Sequence, residues 1–136
     1  MPPPAVTAEE LLERARRAAL TAHAPYSRFR VGAAVVAGGR IFVGCNVENA
    51  SFGLSMCAER VAVFKAVSEG ETQISHVAVS CIDAGAELGA AGRMPCGACR
   101  QVIAELAGPA TPVWVDGAGD FTLGELLPEA FRLSRS

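Results

Sequence analysis

The sequence predicts an α/β fold in which a mixed five-stranded sheet is flanked by helices. Stretches with helical and strand-like hydrophobic periods follow one another in the order αββαβαββα, and 136 residues suit one domain with a single core. Adjacent strands favour hairpins, whereas strands separated by helices need crossover connections, so antiparallel and parallel pairing should both occur. We expect residues 1–136 to form one domain, with residues 1–6 flexible.

The first helix has recognisable start and stop signals. Thr7, followed three positions later by Glu10, forms a capping box at its beginning. Apolar residues then recur at helical spacing as far as Ala19. The helix should end before Pro25, because the residue preceding a proline avoids the helical region.

A strand hairpin and a second helix follow. The apolar runs 30–36 and 41–47 are rich in β-branched residues, and Gly38-Gly39 between them suits a tight hairpin turn. A helix is predicted over 56–67, with Gly70 beyond its end.

The next elements are a strand, a loop and a third helix. Residues 74–82 are predicted to form a buried strand, and the Gly/Ala-rich stretch 83–93 a surface loop. Pro95 indicates the start of the third helix, and Gly108-Pro109 its end. Two more strands are predicted over 113–115 and 121–123, joined by a turn at Asp116-Gly117, and the last helical stretch contains Leu126, Leu127 and Phe131.

Composition excludes several classes of protein. The net charge is −2 and no basic tract is present, which argues against binding to nucleic acid through its phosphates. No apolar run approaches the roughly 18 residues of a membrane span. The first residues lack the pattern of a signal peptide, so we expect a cytoplasmic protein. Charged residues make up 19% of the chain, which indicates that some surface is buried against other chains.

Three cysteines and a glutamate form the strongest chemical pattern. Cys96 and Cys99 lie at a predicted helix start, where free backbone N–H groups and the helix dipole favour the thiolate form that binds zinc. Cys57 lies at another predicted helix start, with Glu59 two positions later. On its own, the Cys-x-x-Cys pair is typical of either half a structural zinc site or a redox pair.

The number of thiols favours a catalytic metal site. A structural zinc site usually has four protein ligands, whereas a catalytic one has three and leaves a position for water. The motifs supply three thiols, which leaves Glu59 available as a base. Three thiolates around Zn²⁺ carry a net charge of −1, and Arg60 is a candidate for balancing it, although a solvated helix residue is nearly as good an interpretation.

The chain closely resembles the zinc-dependent cytidine deaminases of the short, homotetrameric type. Four segments carry the resemblance in the family's order and spacing: 44–50 (GCNVENA), 57–60 (CAER), 95–101 (PCGACRQ), and 126–128 (LLP) followed by Phe131. It implies a three-layer fold and one Zn²⁺ per chain, held by Cys57, Cys96 and Cys99. It also implies hydrolysis of free cytidine and deoxycytidine to uridine and deoxyuridine, with release of ammonia, in pyrimidine salvage.

The resemblance assigns roles to residues around the metal. Glu59 would take a proton from the zinc-activated water, deliver it to N3 of the pyrimidine, and pass a proton to the departing amino group. Asn46 and Glu48, which leave the same face of a strand, would bind the ribose hydroxyls. Phe29 would line the sugar and base pocket, and the backbone N–H of Ala58 would contact the pyrimidine carbonyl.

The resemblance also implies partners. Phe131 would reach into a neighbouring subunit's site and stack on the base, so the resemblance implies a homotetramer with shared active sites. From the residues alone, Phe131 is more simply a core anchor. The substrate would be a small nucleoside, with no nucleic acid and no membrane as partner.

Other functions stay open at this point. A non-enzymatic zinc-stapled module would need Cys45, Cys81 or a histidine as fourth ligand, although both cysteines are most simply small buried hydrophobes. A dithiol redox protein would use Cys96 and Cys99 and leave Cys57 unexplained. A deaminase acting on a cytosine-bearing antibiotic shares the zinc motifs, while one acting on RNA is disfavoured by the charge.

Overall fold

A computed structural model describes residues 6–134, and within them four α-helices and five β-strands follow the predicted order. The expectation of flexibility over 1–6 lies outside the described residues except at Val6, which packs against an apolar cluster. The elements are α1 Ala8–Ala19, β1 Val31–Ala37, β2 Arg40–Cys45, α2 Ala58–Ser68, β3 Ile74–Cys81, α3 Gly97–Leu106, β4 Pro112–Val115, β5 Gly119–Thr122 and α4 Leu123–Leu126.

The five strands form one mixed sheet in the order β2-β1-β3-β4-β5. The pairs β1–β2, β1–β3 and β4–β5 are antiparallel, and β3–β4 is parallel. The parallel pair is the one connected through a helix, α3, as expected for a crossover connection. The predicted α/β class with a mixed five-stranded sheet is therefore confirmed.

Helices cover both faces of the sheet and produce three layers. On one face, Leu11 and Ala15 of α1 pack against Ala34 of β1 and Ala78 of β3. On the other face, α2, α3 and the start of α4 pack against the alternate residues of the same strands. Because successive side chains of a strand point to opposite faces, β1 and β3 contribute apolar residues to both clusters.

Two glycines allow helices to approach the sheet closely. A Cβ atom at Gly44 of β2 would lie 2.6 Å from both the Ala58 carbonyl oxygen and the Ala62 nitrogen of α2. A Cβ at Gly32 of β1 would lie 1.8 Å from the Ala15 carbonyl oxygen of α1. The backbone of α2 therefore rests directly on the sheet, which fixes the position of its first turn.

Two helix starts differ from the predictions by one or two residues. The second helix begins at Ala58 rather than at 56, with Cys57 as its N-cap. The third begins at Gly97 with Cys96 as N-cap, so Pro95 precedes the cap instead of occupying the first helical position. Both shifts place a cysteine at the N-cap, where the side chain projects beyond the helix end.

The C-terminal elements differ more from the prediction. The last strand ends at Thr122, and Leu123 is the first residue of α4 rather than part of a strand. The cause is a capping box, in which Thr122 and Glu125 each accept a hydrogen bond from the other's backbone N–H. The last helix therefore ends at Leu126, and Phe131 follows in irregular structure. No helix within residues 6–134 is long and apolar enough to span a bilayer.

Candidate active site

The three predicted cysteines meet at one point. Cys57 caps α2, Cys96 caps α3, and Cys99 lies in the first turn of α3. The Sγ atoms are 3.9 Å apart between Cys57 and Cys96, and 3.5 Å apart between Cys96 and Cys99. All three Sγ atoms lie within 4.8 Å of one another. Two helix N-termini, each with free backbone N–H groups, therefore face one cluster of sulfurs.

This cluster fits a zinc ion. Two thiolates bound at about 2.3 Å to a tetrahedral zinc lie about 3.8 Å apart, close to the observed separations. Within residues 6–134 the cluster consists of these three cysteines, and neither Cys45 nor Cys81 belongs to it. A set of three protein ligands leaves a fourth position open, which is typical of a catalytic site and speaks against the stapled module.

Arg60 supplies a positive charge beside the sulfurs. Its Nη2 donates a hydrogen bond to Cys57 Sγ over 3.3 Å, and its Nε is buried with no hydrogen-bond partner among residues 6–134. Hydrogen bonds from Cys99 and Arg60 lower the pKa of the Cys57 thiol to about 5, although partial burial opposes them. The guanidinium thus lies where a charge-balancing group would act.

Glu59 lies next to the cluster and is 4% exposed. Burial is the main reason that its pKa rises to about 7, and the negative charge of Cys57 adds to this rise, while Arg60 and hydrogen bonds oppose it. A carboxyl group with a pKa near neutrality can both accept and donate a proton under ordinary conditions. Glu59 therefore has the protonation behaviour of a general acid–base.

A cavity of about 240 Å³ opens beside the cluster. The predicted substrate-binding residues Phe29, Asn46, Glu48 and Ala58 line it together with Glu59. These residues come from three separate parts of the chain, namely the segment before β1, the segment after β2, and the first turn of α2. The sheet and α2 thus bring them together around one cavity, which Cys57 and Cys96 also line.

The polar groups of Asn46 and Glu48 are hydrogen-bonded to backbone. The Asn46 amide accepts from Val31 N and donates to the Phe29 carbonyl oxygen, at 2.8 and 2.9 Å. The Glu48 carboxylate accepts from the N–H groups of Tyr26 and Ser27, each over 3.0 Å. Both side chains are thus held in place at the cavity.

Phe131 is not part of this cavity. Its side chain is 67% exposed, and its carbonyl oxygen accepts a hydrogen bond from Gln101 of α3 over 3.0 Å. The alternative reading of Phe131 as a core anchor is therefore wrong. A larger cavity of about 780 Å³, lined by parts of 72–74, 105–108 and 132–133, contains none of the candidate site residues.

Some cavity residues were not predicted. Cys81 is buried, as expected, but it also lines the cavity, where burial raises the pKa of its thiol to about 11. Cys45 is only half-buried, because it lies at the end of the edge strand β2. Val79 and Met94 complete the apolar wall. The sequence did contain a signal for Val79 and Cys81. They are two positions apart along β3, so both side chains face the layer formed by α2 and α3.

Comparisons with known proteins agree with this geometry. The family described as the cytidine and deoxycytidylate deaminase zinc-binding region matches residues 5–114. A cytidine deaminase of Sporosarcina psychrophila is 43% identical over 128 residues, covering 90% of each chain. One from Halalkalibacterium halodurans is 46% identical over 126 residues, covering 89% of this chain and 91% of the relative.

Solved structures agree as well. The crystal structure of a cytidine deaminase from Burkholderia pseudomallei superimposes with a TM-score of 0.81 at 43% identity, covering 93% of this chain and all of the other. The crystal structure of a cytidine deaminase from Mycobacterium tuberculosis superimposes with a TM-score of 0.81 at 39% identity, covering 95% of this chain and all of the other. With the family match over most of its length, this chain belongs to the cytidine and deoxycytidylate deaminase family.

Proposed function

We propose that this protein hydrolyses free cytidine and deoxycytidine to uridine and deoxyuridine, releasing ammonia, with one Zn²⁺ per chain. The observation that carries the proposal is the buried Glu59 next to three thiols that fit a zinc ion with an open position. Relatives at 43–46% identity over most of the chain are cytidine deaminases. The 240 Å³ cavity beside the thiols provides the space for a nucleoside base.

The chain's own residues account for the proton transfers. When bound by Cys57, Cys96 and Cys99, Zn²⁺ supplies the Lewis acidity that makes water nucleophilic near neutral pH. Glu59 accepts a proton from the water that adds to C4 and delivers it to N3. Glu59 then carries the second proton to the amino group as the C4–N bond breaks. One water and one cytidine thus yield one uridine and one ammonia.

The cavity residues are proposed to bind the nucleoside. Asn46 and Glu48 present an amide and a carboxylate, which suit the ribose hydroxyls as hydrogen-bond partners. Phe29 offers an apolar wall to the sugar and base. The N–H of Ala58 lies in the first turn of α2, where it has no partner within the helix, and is proposed to donate to the pyrimidine carbonyl.

We further propose that the chain forms one deaminase domain over 1–136 and assembles into a homotetramer in the cytoplasm, where it serves pyrimidine salvage. The exposure of Phe131 supports the idea that its partner is another subunit, in whose site it stacks on the base. The 19% charged fraction supports buried surface between copies, as do other large apolar side chains at the surface.

Zinc content and turnover of one variant test the reaction. Protein purified without added metal should contain about one zinc per chain and convert cytidine to uridine, followed by ultraviolet absorbance. Glu59→Gln should keep the zinc and lose at least the roughly 10²–10⁴-fold of one general acid–base group. Glu10→Gln, an exposed glutamate on α1, is the matched control and should behave as wild type. Full turnover in Glu59→Gln, or activity after complete removal of zinc, would contradict the mechanism.

A further inference from the structure

The segment before β1 is tied to Glu48 through Ser27. The Ser27 hydroxyl donates to Glu48 Oε2, and its backbone N–H donates to Glu48 Oε1 over 3.0 Å. The backbone N–H of Tyr26 donates to the same Oε1, also over 3.0 Å. Both oxygens of the Glu48 carboxylate are therefore engaged by two consecutive residues of one segment.

The same hydroxyl also fixes Phe29. The Phe29 N–H donates to Ser27 Oγ over 3.0 Å, while the Phe29 carbonyl oxygen accepts from Asn46 Nδ2. Between them, Arg28 has a φ of +56°, a left-handed conformation that costs free energy for a non-glycine residue. Such a conformation persists where neighbouring hydrogen bonds hold it in place. The Ser27 hydroxyl makes two of these bonds, one to Glu48 and one to the Phe29 N–H.

Among residues 6–134, the network leaves one acceptor position free on Glu48. A carboxylate has about four lone-pair positions, and the segment occupies three of them: two on Oε1 and one on Oε2. The Ser27 hydroxyl and then the Ser27 N–H lower the pKa of Glu48, so the group is held as the charged acceptor. Glu48 lines the cavity together with Phe29 and Asn46.

We propose that Ser27 is a positioning residue for sugar recognition: its hydroxyl orients the Glu48 carboxylate toward the ribose hydroxyls and fixes the Phe29 backbone at the cavity wall. This rests on the proposed function, because it assumes that Glu48 accepts hydrogen bonds from the sugar. Ser27 acts through Glu48 and Phe29 and does not line the cavity itself. Its role concerns binding of the hydroxylated sugar rather than the chemistry at C4.

Comparing two substrates separates positioning from general structural support. Ser27→Ala should raise the KM for cytidine roughly tenfold, the size of one lost hydrogen bond to a charged group, with kcat little changed. For 2′,3′-dideoxycytidine, which lacks both ring hydroxyls, kcat/KM should fall much less, because only the contact with Phe29 is then affected. Ser27→Thr keeps a hydroxyl and should restore the preference for cytidine. Ser68→Ala removes an exposed serine hydroxyl bonded to Lys65 within α2 and is the matched control.

A double variant provides an independent measurement. If Ser27 acts through Glu48, Ser27→Ala should add little to the loss already caused by Glu48→Gln. Provided that the wild-type protein is active, three results would each overturn the inference. They are an equal loss of kcat/KM on both substrates, additive losses in the double variant, and an unchanged KM for cytidine in Ser27→Ala. Wild-type protein that carries zinc but deaminates neither substrate would instead overturn the proposed function, and this inference with it.

Discussion

At the scale of single residues, the site is governed by the balance of charge around Glu59. It is the one buried carboxylate within residues 6–134, and burial disfavours its charged form. The thiolate of Cys57 adds repulsion, and the guanidinium of Arg60 opposes it. A carboxyl group held near the midpoint of its titration is suited to moving two protons in succession, which a fully ionised surface glutamate is not.

Arg60 provides the first prediction at this scale. Arg60→Gln removes the cation 3.3 Å from Cys57 Sγ and leaves three thiolates less compensated. We expect a 10–100-fold loss of zinc affinity or turnover, the usual effect of altering a group that supports metal ligands. Competition with a chelator measures the zinc affinity, and kcat at saturating zinc measures the turnover. Arg17→Gln, an exposed residue of α1, serves as control, and unchanged values in Arg60→Gln would show that Arg60 does not balance the charge of the thiolates.

The sequence predicted the metal site better than the hydrogen bonds that hold Glu48 and Phe29 at the cavity. Cys57, Cys96 and Cys99 could be identified because local spacing and helix starts indicate metal-binding thiols without knowledge of the fold. Ser27 could not, because its partner Glu48 lies 21 positions away and meets it only after β1 and β2 have paired. A serine in a turn carries no local signal for a tertiary hydrogen bond of this kind.

At the scale of elements, an ion pair joins α1 to the carboxyl ends of two strands. Arg16 of α1 donates to Asp116, which follows β4, over 2.8 and 3.1 Å. The Ser80 hydroxyl of β3 donates to the same carboxylate over 2.8 Å. These groups connect the α1 layer to the parallel pair β3–β4, whose carboxyl ends lie toward the site because Val79 and Cys81 of β3 line the cavity.

Acid should weaken this connection. The Arg16 and Ser80 hydrogen bonds hold the pKa of Asp116 below its usual range. A lowered carboxyl pKa contributes stability above the unfolded pKa of about 3.9, and that contribution disappears as pH falls through the folded value. We expect Asp116→Asn to be about 1 kcal/mol less stable than wild type at pH 7, with a difference that narrows as the pH falls below the unfolded pKa.

Urea unfolding over a series of pH values measures this difference. Zinc release in acid affects both proteins and therefore cancels in the comparison. Asp120→Asn, on the exposed edge strand β5, is the control and should track wild type throughout. A gap between wild type and Asp116→Asn that persists unchanged at low pH would show that the variant acts through packing rather than through charge.

The ends of helices and strands could be predicted where a local sequence signal marks them. They were harder to predict where they depend on the pairing of one strand with another. The capping residue Thr7 indicated the start of α1, and in the structure its hydroxyl accepts from Glu10 N, which is one of the two bonds of the predicted capping box. The boundary between β5 and α4 was misplaced, although Thr122 and Glu125 carry the same kind of signal. There the segment 121–123 also suits a strand, and the strand ends at Thr122 because this residue makes the last pair with Pro112 and caps α4.

At the scale of the whole molecule, several large apolar side chains lie at the surface of one chain. Phe52, Leu54, Phe131 and Leu133 are each at least 67% exposed. Tyr26 packs edge-on against Phe52, with ring centroids 6.2 Å apart, so part of this apolar surface lies near the segment that carries Ser27. Apolar surface of this kind is typical of contacts between chains, which fits the proposed homotetramer.

Shared active sites make a specific prediction for mixed assemblies. Phe131→Ala should abolish most turnover while leaving the unfolding free energy of the chain nearly unchanged, because the side chain is 67% exposed within the chain. Glu59→Gln should be inactive for a different reason, since it lacks the acid–base group. If Phe131 serves a neighbour's site, a subunit with intact Glu59 can be completed by the Phe131 of a Glu59→Gln subunit.

Co-expressing the two variants with different affinity tags and purifying through both tags isolates the mixed assemblies. We expect these to regain a clear fraction of wild-type kcat, although each variant alone is nearly inactive. The single-variant assemblies, put through the same purification, are the controls. Mixed assemblies no more active than the controls would mean that Phe131 acts within its own chain. Light scattering of a fully active monomer would contradict the shared site directly, because a single chain leaves Phe131 outside the cavity that contains Glu59.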